Sequence, residues 1–185
     1  MRTFISLNFD AETRKIIAEY KNKFRSLLTE NDKRKIKWES EDKYHITIYF
    51  LGETSKTQVE QISAEMKMFA SLGLGEIGFN LKGISAFPHM KDPRVLFVDI
   101  LNHDGKSYLL CRKINAMMSA YGFKNDKVYK PHITIGRIKR NCKVNFSSIN
   151  QICNNEFAKI SRLFFMSSIL NKEGSSYNEI MSVSL

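Results

Sequence analysis

The feature that most constrains this chain is a nine-residue phrase that occurs twice. Lys43-Tyr44-His45-Ile46-Thr47-Ile48-Tyr49-Phe50-Leu51 returns as Lys130-Pro131-His132-Ile133-Thr134-Ile135-Gly136-Arg137-Ile138. Successive side chains of a β-strand alternate between faces, so His45 shares a face with Thr47 and His132 with Thr134, while the isoleucines point the other way. Each copy is a polar stripe on an apolar back. The two histidines are 87 positions apart, close to half of the 185 residues, and in each half helical or loop sequence leads into the strand. Two similar lobes set face to face would bring both stripes to a shared cleft.

A chain of this length can bury an ordinary hydrophobic core as one domain or two closely packed lobes. Cys111, Cys142 and Cys153 are odd in number and lack metal-ligand spacing, so neither a disulfide framework nor a zinc site is indicated, and a reduced, cytoplasmic setting is expected. The first apolar stretch, Thr3 to Phe9, meets Asp10 and Glu12 too soon for a signal peptide or membrane span. Lysines and arginines number 29 against 19 acidic residues, a formal charge of +10. Such a surface favours polyanions, nucleic acid first, through counterion release and steering, although the same charge also serves solubility.

The remaining elements follow from periodicity. Arg2 to Phe9 reads as a strand, and Asp10 as the cap of a helix carrying Ile16, Ile17, Tyr20, Phe24, Leu27 and Leu28 on one side. Residues 29–42, with Lys33, Arg34, Lys35 and Lys37 ahead of Trp38, read as a basic loop, either a contact for phosphate beside the first motif strand or a solvated linker. Ser55 and Gln58 form a capping-box signature before a helix with Val59, Ile62, Met66 and Phe69. Gly73-Leu74-Gly75-Glu76-Ile77-Gly78 satisfies the dinucleotide fingerprint formally, but a helix precedes it and strand-like residues follow, the reverse of what the mechanism needs. We take it as a helix stop and turn.

Phe79–Phe87 and Arg94–Leu101 predict a hairpin joined through Pro88 and Pro93, and Asp104 and Gly122 bracket a third helix. Residues 141–156 suggest a loop with a short helical turn. Phe157–Leu170 and Tyr177–Leu185 predict two strands joined across Asn171-Lys172-Glu173-Gly174-Ser175.

Two imidazoles on facing strands suit a reaction that needs a base and an acid in one step near neutral pH, and in-line displacement at phosphorus is one. Thr47 and Thr134 hydroxyls would donate to the non-bridging oxygens, and the Arg137 guanidinium would match the phosphate charge. On a regular strand Arg137 faces away from His132, so a cleft-facing Arg137 requires a bulge, a twist or a strand end, which Gly136 would permit. Phe4, Phe87 and Tyr49 are candidates for stacking on a base. A metal reading of His45 and His132 lacks acidic or cysteine partners at useful spacing, so neither metal nor cofactor is expected. His89 and His103 fall in turn-like, solvated segments.

The paired motifs resemble those of the two-histidine phosphoesterase superfamily, and the whole chain resembles its RNA 2′,3′-cyclic phosphodiesterase branch, also described as 2′-5′ RNA ligases. The resemblance rests on Arg2-Thr3-Phe4-Ile5, on Trp38 ahead of His45-Ile46-Thr47-Ile48, and on Phe50-Leu51-Gly52-Glu53 after it. It continues through Phe87-Pro88, Pro93-Arg94-Val95-Leu96 and Pro131-His132-Ile133-Thr134-Ile135 with Arg137-Ile138. It implies an α+β fold over residues 1–185, bilobal with pseudo-two-fold symmetry, antiparallel sheets lining a central cleft and helices outside. It implies opening of a 2′,3′-cyclic phosphate to a 2′-phosphomonoester without metal, with His132 as base and His45 as acid; RNA 3′ ends or small cyclic-phosphate nucleotides are the expected partners, and a monomer is the expected state. The other readings are hydrolysis of 2′-5′-linked oligonucleotides or other cyclic phosphates, and a non-catalytic RNA-binding module. Glu39-Ser40 departs from the Val-Pro often found after the tryptophan, and His89 and Met90 stand where basic residues are common, which bears on RNA-end preference.

Overall fold

The computed structural model describes residues 1–124, 128–144, 146, 155–171 and 174–185. The helical turn expected within 141–156, Cys153, and the turn residues Lys172 and Glu173 fall wholly or largely outside them. Among the described residues, nine strands form two antiparallel sheets: β1 (Arg2–Asn8), β2 (Ile36–Trp38), β3 (His45–Glu53), β4 (Ile77–Phe87), β5 (Val95–Leu101), β6 (His132–Ile138), β7 (Glu156–Ile160), β8 (Arg162–Asn171) and β9 (Gly174–Ser184). One sheet has the order β3-β1-β8-β9 and the other β2-β6-β5-β4-β7. The helices are α1 (Ala11–Ser26), α2 (Glu30–Arg34), α3 (Lys56–Met66) and α4 (Lys106–Ala120). None is long and apolar enough to cross a membrane among the described residues.

The repeated phrase explains the symmetry. In the first sheet β3 lies beside β1 and β1 beside β8; in the second, β6 lies beside β5 and β5 beside β4. The helices exchange sides. Tyr20 of α1 reaches the Leu81 carbonyl on β4, while Cys111 of α4 sits against the Ile48 carbonyl on β3. One buried apolar cluster accordingly draws on both sheets and both helices.

The local signals act as their chemistry predicts at several ends. The Asp10 carboxylate accepts from the Thr13 amide at 2.7 Å to open α1, Ser55 and Gln58 complete a capping box on α3, and Gly73 adopts the left-handed conformation that ends the following 3-10 turn.

Three expectations need correction. Residues 29–42 are not a loop: α2 and β2 occur there, Thr29 caps α2, and β2 pairs with β6 as Lys37↔Arg137. The density of charge hid a strand with only one fully buried position, Ile36. Phe157–Leu170 is two strands in different sheets, split at Ser161; Ala158 and Ile160 are buried before it and Leu163 and Phe165 after it, so the buried parity slips by one. The cap of α4 is Gly105, with Asp104 one residue earlier accepting from the Lys106 amide at 3.0 Å.

Of the irregularities that would turn Arg137 to the cleft, the structure has a bulge, and it occurs in both copies. Thr134 pairs with Phe97 and Gly136 with Leu96, leaving Ile135 extra; Thr47 pairs with Ser6 and Tyr49 with Ile5, leaving Ile48 extra. The first copy makes it with tyrosine, so glycine is not what permits it. Gly136 answers a different demand: a Cβ there would lie 3.0 Å from Ile36 Cγ2 and 3.4 Å from the Lys37 carbonyl oxygen, both on β2. β3 has no such outer neighbour and has room for Tyr49.

Candidate active site

Each bulge places two consecutive residues inward and returns the next one to the polar face. Ile48 and Tyr49 are buried and Phe50 emerges; Ile135 and Gly136 are buried and Arg137 emerges. His45, Thr47, His132, Thr134 and Arg137 therefore line one cleft of about 550 Å³ between the sheets, and Phe50 lines it at the position matching Arg137.

Both imidazoles are held in the same way. Nδ1 of His45 is 2.7 Å from the Lys43 carbonyl oxygen and Nδ1 of His132 is 2.7 Å from the Lys130 carbonyl oxygen. A carbonyl oxygen only accepts, so each Nδ1 carries a hydrogen, and in the neutral ring Nε2 presents its lone pair. The Thr47 hydroxyl donates to Nε2 of His45 at 3.1 Å. In both copies the tether comes from the lysine two residues upstream, so the sequence repeat has become a repeat of tautomer and ring orientation.

Burial makes both rings weak bases. His45 lies against Phe4 and Tyr177, with ring centroids 5.1 and 5.3 Å away, and its pKa is pushed down to about 4, chiefly by desolvation. Its bond to the Lys43 carbonyl opposes the shift, while the charges of His132 and Arg137 add to it. His132 packs against Phe87 and Phe97 at 4.9 and 5.3 Å, and desolvation again lowers its pKa. Here the Lys130 carbonyl and Asp99, its cross-strand neighbour on β5, pull the other way, against the charges of Lys130 and Arg137.

The three aromatics proposed for base stacking are placed differently. Tyr49 is 2 % exposed and belongs to the core, because the bulge turns it inward; the stacking reading is corrected for it. Phe87 stacks on Phe97 at 4.2 Å, packs against His132, and is not among the cleft's lining residues. Phe4 does line the cleft, but as a wall 4 % exposed, wedged between His45 and Tyr177. The ring that is open at the cleft is Phe50, 52 % exposed, with the Arg2 guanidinium 5.3 Å from its centroid. His89 and His103 lie outside the cleft.

Sequence reasoning passed over several lining residues. Tyr177 arrives on β9 from the far end of the chain and carries no motif; burial and the Glu39 charge raise its pKa. Glu39 was hidden in the supposed loop, whereas Lys37, one of that loop's candidate phosphate contacts, does line the cleft. β2 now sets them beside Arg137, and the Glu39 carboxylate lies 3.6 Å from Arg137 Nε. Arg2, Lys37, Lys43 and Arg137 make the lining strongly cationic. Among the described residues, no group of three or more histidine, cysteine, aspartate or glutamate side chains is placed to hold a metal ion.

Comparison with known proteins adds the family. A family model described as LigT-like phosphoesterase matches residues 10–97, which contain the first copy of the repeat. An RNA 2′,3′-cyclic phosphodiesterase of Thermotoga maritima is 32% identical over 141 residues, covering 75% of this chain and 71% of that protein. One from Methanocaldococcus jannaschii is 28% identical over 139 residues, covering 75% and 72%. Among solved structures, the TT0787 protein of Thermus thermophilus superposes with a TM-score of 0.81 at 24% identity over 100% of this chain and 98% of that one. E. coli LigT complexed with 3′-AMP superposes with a TM-score of 0.76 at 16% identity, over 100% and 97%. These likenesses establish the fold.

Proposed function

The chain belongs to the LigT-like phosphoesterase family that includes the RNA 2′,3′-cyclic phosphodiesterases, and on that footing we propose that it hydrolyses a terminal 2′,3′-cyclic phosphate on RNA to a 2′-phosphomonoester, without a metal. The observation that carries this reading is the matched tethering of His45 and His132 in one cationic cleft. Two histidines locked in the same tautomer turn both Nε2 atoms to one cleft, that of His45 already accepting from the Thr47 hydroxyl. One takes a proton from water as its oxygen bonds to phosphorus; the other gives a proton to O3′ as the P–O3′ bond breaks. Once Nε2 of His45 is protonated it no longer accepts from Thr47, and the Thr47 and Thr134 hydroxyls then donate to the non-bridging oxygens while Arg137 opposes their charge.

The resting protonation states bear on the order of events. Both pKa values are lowered, so near pH 7 both rings are neutral before substrate arrives. A general acid must be protonated. The bound phosphate anion supplies the opposite charge that favours an imidazolium, so the acid is charged in the complex rather than in the free protein. The phosphate thus helps to assemble its own catalyst.

The test uses an RNA ending in a 2′,3′-cyclic phosphate, incubated with chelator, and locates the phosphate in the product. The wild type should give the 2′-monoester, and His45→Ala and His132→Ala, checked for folding by circular dichroism, should each lose about 10²- to 10⁴-fold in turnover. Near-normal turnover in either variant would sink the acid–base assignment. Loss of activity in chelator would move the reaction to a metal, and tight RNA binding without turnover in the wild type would leave a binding module.

A further inference from the structure

The cleft's lining is cationic with one exception, and the exception is placed at the phosphate side. Among the described residues, Glu39 is the sole carboxylate lining the cleft, against Arg2, Lys37, Lys43 and Arg137. It follows β2 directly. Its amide donates to the Ile135 carbonyl at 2.9 Å, and its own carbonyl accepts from Lys21 Nζ at 3.1 Å, so its backbone is fixed on both sides. Ile135 is the extra residue of the bulge, which puts Glu39 level with the stretch between Thr134 and Arg137. Its side chain is 17 % exposed against 54 % for Arg137, and Oε1 lies 3.6 Å from Arg137 Nε. A carboxylate sheltered from water beside an anion site repels the anion more strongly than an exposed one would.

We propose that Glu39 is a charge filter for the phosphate site: its carboxylate beside Arg137 lets a singly charged phosphodiester bind while disfavouring a doubly charged phosphomonoester, and so speeds release of product. The idea rests on reading the cleft as a phosphodiester site. A cyclic phosphodiester carries one negative charge. The monoester made from it has a second ionisation near pH about 6 and is mostly a dianion above about pH 7. Coulomb repulsion scales with the ligand's charge, so at fixed geometry Glu39 acts on the product with twice the free energy that it exerts on the substrate. Expressed as binding ratios, the factor for the dianion is the square of the factor for the monoanion. Arg137 alone would favour the product by the same logic. A cleft built only of cations would hold on to what it makes, and Glu39 offsets that tendency where the product's charge increases. Its field also extends across the cleft, contributing to the raised pKa of Tyr177.

The experiment compares wild type with Glu39→Gln, which keeps the shape and removes the charge, and with Glu39→Asp, which keeps the charge. Calorimetric titration with inorganic phosphate at pH about 5.5 and about 8.5, either side of its second ionisation, needs no turnover. Expected for Glu39→Gln is a gain in phosphate affinity of about tenfold at the higher pH and about threefold at the lower, with Glu39→Asp near wild type at both. In the hydrolysis assay, inhibition by adenosine 2′-monophosphate should strengthen about tenfold while KM for adenosine 2′,3′-cyclic phosphate falls about threefold. An equal gain at both pH values would overturn the filter and leave a steric effect. Weaker phosphate binding in Glu39→Gln would overturn it in favour of Glu39 as the positioning residue of Arg137. Absence of turnover with the phosphate pattern intact would remove the proposed reaction and leave the filter standing.

Discussion

The burial of His45 has a consequence for stability whose size follows from the site. In the folded protein its pKa is about 4, against an ordinary value of 6.5. Above pH 6.5 neither the folded nor the unfolded chain protonates this ring, and the linkage contributes nothing unfavourable. As the pH falls from 6.5 towards 4 the unfolded chain binds the proton and the folded one does not, so stability drops by about 1.4 kcal/mol per pH unit. Below about 4 both states are protonated and the loss levels off at about 3 kcal/mol. His132, whose pKa is also lowered by desolvation, adds in the same direction. The perturbation that isolates the first ring is His45→Asn, because the shorter amide keeps a donor for the Lys43 carbonyl but does not titrate. Urea unfolding followed by the fluorescence of Trp38, the one tryptophan in the chain, gives the free energy at each pH without altering ionic strength. Between about pH 7.5 and about pH 4.5 the wild type should lose about 2.5 kcal/mol more than the variant. Parallel curves for the two proteins would refute the claim that burial keeps His45 neutral, and with it the argument that the acid is charged only once phosphate is bound.

Two further predictions concern the second copy. Asp99 faces His132 from β5, whereas no carboxylate contributes to the shift at His45, so in an NMR titration of the free protein His132 should take up its proton at higher pH than His45; the reverse order would mean that Asp99 does not offset the desolvation. Gly136→Ala should cost about 1–3 kcal/mol by urea unfolding and weaken phosphate binding, because a Cβ at 3.0 Å from Ile36 Cγ2 pushes β2 and β6 apart beside Arg137. Unchanged stability would show that β2 yields freely there.

Much of this fold was legible in the chain because local chemistry and tertiary demand agree. Asp10, Ser55 with Gln58, and Gly73 do at their helix ends what their side chains or lack of one predict. What escaped was set by neighbours far away in sequence. β2 is three residues long and charged; it is a strand because β6 offers it an edge, which no window around residue 37 records. Tyr177 and Tyr49 make the same point in opposite directions. Tyr177 lines the cleft because the C-terminal strands rejoin the first sheet, and Tyr49 leaves it because a one-residue register slip turns it inward. Parity alone gave the need for an irregularity before Arg137, a bulge, a twist or a strand end, and assigned its permission to Gly136, which the matching bulge at Tyr49 does not need.

The two copies share the devices that fix geometry and differ in those that carry charge. Both use the carbonyl two residues upstream to set the imidazole, and both use the same bulge to return Phe50 or Arg137, the eighth residue of the repeat, to the cleft. A symmetric site would still be of little use to an in-line displacement, whose entering and leaving oxygens have opposite proton requirements. The differences lie around the histidines. Arg137 on one side is matched by Phe50 on the other, and Asp99 opposite His132 is matched by Asn8 opposite His45. A third difference is β2, which flanks only the second copy and brings Glu39 with it. In the proposed reaction the duplicated backbone would supply the two proton positions, and the unequal side chains around them would tell one from the other. Substitutions at Phe50 or Glu39 should therefore alter which ligand is held and how its charge is read, whereas substitutions that disturb the shared bulges should alter whether the two imidazoles meet the same phosphate.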